Sequence, residues 1–186
     1  IEQAITNVMH AWVELEAQKT PFHVRGMDPD EEIEIKNNII LRTFATKHTV
    51  PSLGYVIVER RSKLRPDLIG LPQEELVRRK NRGEQITDTL HIPLVCCTGD
   101  TMWGDHFERE DVLNARILIT ECTFLEAEHR PRASVGRHLH LDDIAVLLQR
   151  TRAEAVVLTH LSRRTNMNAA RTASASTPSR WLTFCA

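Results

Sequence analysis

Two short apolar runs end on chemistry. Val95–Thr101 (VCCTGDT) and Ile119–Phe124 (ITECTF) each read as a β-rich segment that surfaces at a polar turn. The first delivers Asp100, with Gly99 loosening the backbone beside it. A third run, Ala155–Ser162 (AVVLTHLS), delivers His160 in the same way. A carboxylate and an imidazole at the mouths of buried strands are what a metal site needs, because suitable ligands are then held on rigid elements. Taken singly, an Asp or a His at a strand end is more often an ordinary loop residue.

The remaining segments fix the class. Ile1–Lys19 carries apolar residues at a helical period (Ile5, Val8, Met9, Trp12) and is stopped by Pro21. Glu32–Thr46 reads as two strands about an Asn37-Asn38 turn, and Ser52–Glu59 as a third strand. A short helix is expected from Pro72 to Lys80, strands at Ile92–Thr98 and Arg116–Thr120, and a short helical lead at Asp111–Ala115. Leu141–Arg152 is an amphipathic helix with Asp142 and Asp143 in its first turn, where the helix dipole favours them. Ala155–Thr159 is the last strand read. Strands alternating with helices predict an α/β or layered α+β chain. At 186 residues it is long enough for one domain with a real core.

Residues 166–186 change character. They are rich in Ala, Ser and Thr and end in WLTFCA. They read as an atypical tail, disordered or unrelated to the domain 1–165, with helix continuing at most over Asn166–Ala175. The first residue is Ile, and no charged-then-apolar leader follows, so the start reads as trimmed or partial.

Composition excludes some partners. Twenty-four basic against twenty-five acidic side chains leave a formal net charge of −1, so no global field advertises nucleic acid. Contact with RNA must rest on local clusters: Arg60, Arg61, Lys63 and Arg65, or Arg78, Arg79, Lys80 and Arg82. A solvated helix face interleaved with Glu74, Glu75 and Glu84 accounts for the second cluster equally well. No apolar run approaches the roughly 18 residues of a membrane span. The cysteines (Cys96, Cys97, Cys122, Cys185) show no CxxC spacing, which suits a reducing, cytoplasmic setting. Cys96 and Cys97 are adjacent in a strand and must face opposite sides.

Of nine histidines, three stand out beside His160. His48 follows a strand-like run. His138 and His140 flank Leu139 before a helix start; at i and i+2 in extended chain they share a face and suit a metal, a phosphate or a proton transfer. His106, six residues past Asp100, is a weaker candidate for a supporting group.

Six blocks in this order carry a resemblance: HTVPSLGYVIVE from His48, GLPQEELVRRKNRGEQI from Gly70, TGDT, ECTF, GRHLH and LTHLSRR. Together they resemble the C-terminal part of ribonuclease Z, the metallo-β-lactamase-fold endonuclease that trims the 3′ trailer of precursor tRNA. The resemblance spans roughly Thr46–Thr165. It implies an αββα sandwich and zinc, two ions in the complete protein. His48, Asp100 and His160 match metal ligands of the family. Glu121 matches the glutamate of its HEAT loop, whose histidine is replaced here by Thr120. His138 matches the histidine thought to protonate the leaving oxygen. Ser162 and Arg164 match the end that grips a phosphate.

The family's HxHxDH signature is absent from this chain. The resemblance therefore implies an incomplete sandwich with its N-terminal half missing. Such a piece is expected to bind zinc weakly, to leave RNA uncut and to self-associate, as a homodimer, through a bare sheet face. Leu94–Thr98 and Val156–Thr159 are the expected sticky strands. Two further readings stand beside it: another metallo-β-lactamase-fold hydrolase acting on a small phosphodiester or ester, and a non-catalytic half-domain that supports another subunit.

Overall fold

A computed structural model describes residues 1–17 and 19–162, together with the backbone of 181–184. Helix α1 (Glu2–Leu15) leads into a hairpin of β1 (Glu32–Lys36) and β2 (Ile39–Thr46), followed by β3 (Ser52–Leu64) and α2 (Gln73–Asn81). Strand β4 (Thr87–Cys97), α3 (Glu110–Leu113), β5 (Ile117–Glu121), α4 (Arg130–Gly136), α5 (Leu141–Arg150), β6 (Ala155–Thr159) and β7 (Trp181–Phe184) complete the described elements. The seven strands form one sheet in chain order. Pairings are antiparallel from β1 to β4 and parallel from β4 to β7.

Two differences from expectation concern length. Strands β3 and β4 extend together beyond Glu59 and ahead of Ile92, with Arg60 opposite His91 and Leu64 opposite Thr87. This arm is polar and carries no apolar alternation, so periodicity missed it. Pro93 sits within β4 yet costs little. It lies at a register shift, and pairing of β4 with β5 begins only at Val95. The other difference is β7. It falls within the tail read as atypical, and its parallel partner is β6. The rest of that tail, including the expected helix over 166–175, lies outside the described residues.

One sheet face is packed. Phe44, Val56, Val58, Cys96, Leu118, Val156 and Leu158 meet Ile144 and Leu147 of α5, Val112 of α3 and the buried Phe107. Gly54 is required there: a Cβ would fall 2.2 Å from the Phe44 ring, so the ring crosses the neighbouring strand only over a glycine. The opposite face alternates with it and is half-buried or open, with Tyr55 40% and Ile117 38% exposed. Cys96 is on the packed face and Cys97 on the other, as adjacency in a strand demands.

The parallel strands decide where chemistry goes. Strands β4, β5 and β6 run the same way, so the residues after them, Asp100, Glu121–Thr123 and His160, collect at one edge. The crevice outside the carboxyl ends of parallel strands is where α/β sheets bind ligands.

Candidate metal centre

Ligand atoms of Asp100, His138 and His160 lie within 4.8 Å of one another. His160 Nε2 is 3.5 Å from Asp100 Oδ2, both side chains being about half exposed. Rings of His48 and His138, and of His138 and His160, are each 5.0 Å apart, so the three imidazoles form an arc beside Asp100. His48 is on that arc but outside the tight group. His138, read from sequence as a proton donor, is inside it.

Glu121 is the hub beneath. Its side chain is buried and accepts four hydrogen bonds. Oε1 takes the Thr101 amide at 2.6 Å and pairs with His138 Nδ1 at 2.7 Å. Oε2 takes the Thr123 hydroxyl at 2.6 Å and the Leu139 amide at 3.2 Å. Thr120 stands where the resemblance expects a loop histidine, yet Glu121 is coupled to a histidine all the same, His138. The Thr120 hydroxyl is instead engaged with that of Thr98, 2.8 Å away.

The network assigns the imidazole protons. The Thr123 hydroxyl spends its only proton on Glu121, so toward His160 Nδ1, 3.0 Å away, it accepts. His160 therefore carries its proton on Nδ1. His138 donates from Nδ1 to Glu121. His48 Nδ1 lies 3.2 Å from the Arg137 carbonyl, which only accepts, while Arg137 Nη1 donates to the His48 carbonyl at 2.7 Å. All three rings thus hold their Nδ1 proton toward a protein oxygen and keep the Nε2 lone pair free. Metal-binding histidines are fixed by outer partners in this way. The donor set therefore fits a divalent ion of the zinc type, which takes imidazole and carboxylate together.

The backbone is bent to suit. His160 has φ +56° and Arg137 φ +56°, left-handed values that cost non-glycine residues of order 1 kcal/mol or more and persist where surroundings hold them. Arg137 closes α4 in that conformation and clasps His48. The Ser162 amide donates to the Thr123 carbonyl at 3.0 Å, which fixes the turn around His160.

The other candidates separate. His138 and His140 do not share a task. His140 turns away to cap α5: its Nδ1 accepts the Asp142 amide, and its Nε2 reaches the Glu126 carbonyl at 3.1 Å. Each ring takes its own partners, Glu121 for His138 and Glu126 with Asp142 for His140, so the two do not act as one pair. His106 is buried beside Phe44 and Phe107, 3.4 Å from the Thr101 hydroxyl, and burial lowers its pKa to about 4. Ser162 sits beyond His160, and Arg164 lies outside the described residues. Thr101, Thr123 and Arg137, which carry the support, were not singled out in the sequence. Thr123 had a signal, as it stands two residues after Glu121 in ECTF. The basic clusters are largely spent on neighbours: Arg60 on Glu34, Arg61 on Glu59, Arg65 on Asp67, and Arg78, Arg79 and Arg82 on Glu74, Glu75 and Glu84.

Comparison with known proteins decides the kinship. The chain is 36% identical over 164 residues to tRNase Z TRZ2, chloroplastic, of Arabidopsis thaliana, an alignment covering 87% of this chain and 45% of that protein. Alongside it stands tRNase Z TRZ1 of the same plant, 30% identical over 171 residues, 88% of this chain and 60% of that one. By sequence this chain is a relative of ribonuclease Z. No protein-family model matches it. Among solved structures, the metallo-β-lactamase fold protein YhfI from Bacillus subtilis superposes with a TM-score of 0.57 at 17% identity, covering 92% of this chain and 57% of that one. Human tRNase Z, short form, gives 0.52 at 18% identity, with 97% and 61% covered. The fold is therefore the metallo-β-lactamase one. The chain spans about half the length of the ribonuclease Z proteins it matches. No helix among the described residues is long and apolar enough to cross a membrane.

Proposed function

We propose that the complete protein is a metal-dependent endoribonuclease of the ribonuclease Z type, cleaving a phosphodiester at the 3′ end of precursor tRNA. The observation that carries this is the Glu121–His138 pair facing the same space as Asp100 and His160. Asp100 and His160, with His48 on the arc, would hold zinc, two ions in the complete protein. Bound zinc supplies Lewis-acid stabilisation of charge building on the phosphoryl oxygens.

This chain's residues do the rest. Glu121 holds His138 by its Nδ1 proton and so aims Nε2 at the reacting centre, the atom through which a proton would pass to the departing 3′ oxygen. Thr101, tied to Glu121 through its amide, fixes Asp100 beside it. Ser162 and Arg164, beyond His160, would meet phosphate. This chain by itself leaves RNA uncut, because the family's HxHxDH ligands are not in it.

The test is made on the full-length protein with a precursor tRNA. His138→Ala should keep its metal and slow cleavage about 10²- to 10⁴-fold, the range for a lost general acid. Asp100→Ala and His160→Ala should lose metal. Metal loss in His138→Ala would make His138 a ligand instead, and full-length protein inert toward precursor tRNA would refute the reading.

A further inference from the structure

A cavity of about 520 Å³ opens directly beside His138. Met102, Trp103, Pro131 and Ala133 are among the apolar residues that line it. Trp103 is the aromatic ring among its lining residues. The indole is half-buried and stacked on Phe107, 4.9 Å between centroids and 22° between planes. Phe107 is itself fully buried against His106. The indole is thus braced from behind and its orientation is set before anything binds, which lowers the entropic cost of stacking on it.

Among the described lining residues the one carboxylate is neutralised by the one guanidinium. Asp143 is the acidic group there, and it is fully occupied. Its two oxygens accept from Arg130 at 2.8 Å each, and Oδ2 also accepts the His140 amide at 2.9 Å. No free carboxylate among the described lining residues faces the cavity to repel a phosphodiester. Ser134 adds a hydroxyl to the lining.

We infer that this cavity is a subsite for one nucleobase, that of a nucleotide flanking the scissile phosphate, with Trp103 as its stacking platform. This rests on the nuclease reading. The cavity shares His138 with the reacting centre, so its occupant sits within one nucleotide of the bond that breaks. A base offers two apolar faces and a polar rim, and the lining combines apolar Met102, Trp103, Pro131 and Ala133 with the Ser134 hydroxyl. Stacking on an aromatic ring tolerates any base, so the subsite contributes affinity and register rather than sequence choice.

The test uses full-length protein in chelator, so that nothing is cleaved, and short RNAs spanning the cleavage point. In one RNA each nucleotide is intact; in two others the nucleotide on one or other side of the scissile bond is abasic. For wild type, one abasic substitution should weaken binding about tenfold or more. Trp103→Ala should weaken binding of intact RNA by a similar factor and gain no further loss from that abasic substitution, while Trp103→Phe restores most of the affinity. Equal loss on intact and abasic RNA would make Trp103 a structural residue and overturn the subsite, as would unchanged binding by Trp103→Ala. Wild-type protein that binds no RNA at all would sink the nuclease reading and the subsite with it.

Discussion

Replacing Glu121 by Gln tests whether the buried carboxylate sets the protonation of the whole site. The shapes match, but one oxygen becomes an NH₂ group. That group cannot take the place of Oε1, where it would face the Thr101 amide and the His138 Nδ1 proton, two donors at 2.6 and 2.7 Å. It must take the place of Oε2, where the Leu139 amide and the Thr123 hydroxyl lie. The hydroxyl can rotate and accept; the Leu139 amide cannot. A buried donor left without an acceptor costs about 1–3 kcal/mol.

The rotation has a second effect. Once Thr123 accepts from the introduced carboxamide, its proton is free to point at His160 Nδ1. With that proton pointing at His160 Nδ1, the imidazole carries its own proton on Nε2 and offers a metal no lone pair there. Losing an outer partner of a ligand costs about 10- to 100-fold in metal affinity. The expected outcome is that the variant unfolds at lower denaturant by that 1–3 kcal/mol, binds zinc about 10- to 100-fold more weakly in a chelator competition, and shows the His160 proton on Nε2 by ¹⁵N NMR. Wild-type zinc affinity with the His160 proton still on Nδ1 would refute the reasoning, because the proton assignment through Thr123 would then be wrong.

Three other outcomes follow from the packing. Gly54→Ala should destabilise by about 1–3 kcal/mol in denaturant melts, since the new Cβ meets the Phe44 ring at 2.2 Å and that ring is fully buried. Asp111→Asn should cost about 3 kcal/mol. Burial would raise this carboxyl, but hydrogen bonds from Arg109 and Arg42 outweigh burial and hold its pKa below the ordinary value, so the difference from wild type should vanish as pH falls through that lowered pKa. His106 is buried neutral with a pKa near 4 against 6.5 when unfolded, so the unfolded chain takes the proton first on acidification. Its contribution is present above pH 6.5 and falls by up to about 3 kcal/mol toward pH 4; the His106→Phe variant should lack that part of the decline in unfolding midpoints.

Apolar strands with chemical ends were legible in the sequence because burial leaves a periodic trace. The runs into Asp100, Glu121 and His160 became β4, β5 and β6 and their following turns. Polar strands leave no such trace. Residues 60–64 and 87–91 form a paired arm of mostly charged and polar side chains, which need no apolar alternation. The fate of His138 and His140 was illegible for another reason. Which of two neighbouring imidazoles faces a site depends on the partners each finds, the α5 cap for His140 and Glu121 for His138. Thr101, Thr123 and Arg137 are ordinary polar residues in sequence. Their importance comes only from the single atom each presents.

The parallel strands explain why such modest residues suffice. Once β4, β5 and β6 bring their carboxyl ends together, each candidate ligand needs only one further constraint, the direction of its side chain. For His160 that direction requires a left-handed backbone at φ +56°, which a β-strand would not choose. Two bonds to one residue hold it there: the Thr123 hydroxyl at Nδ1 and the Thr123 carbonyl to the Ser162 amide, both 3.0 Å. One threonine therefore sets the turn, the ring and the proton of His160, and Glu121 sets that threonine. The left-handed backbone at His160 and the buried carboxylate of Glu121 are linked through Thr123, so weakening either end should loosen the side chain at the other.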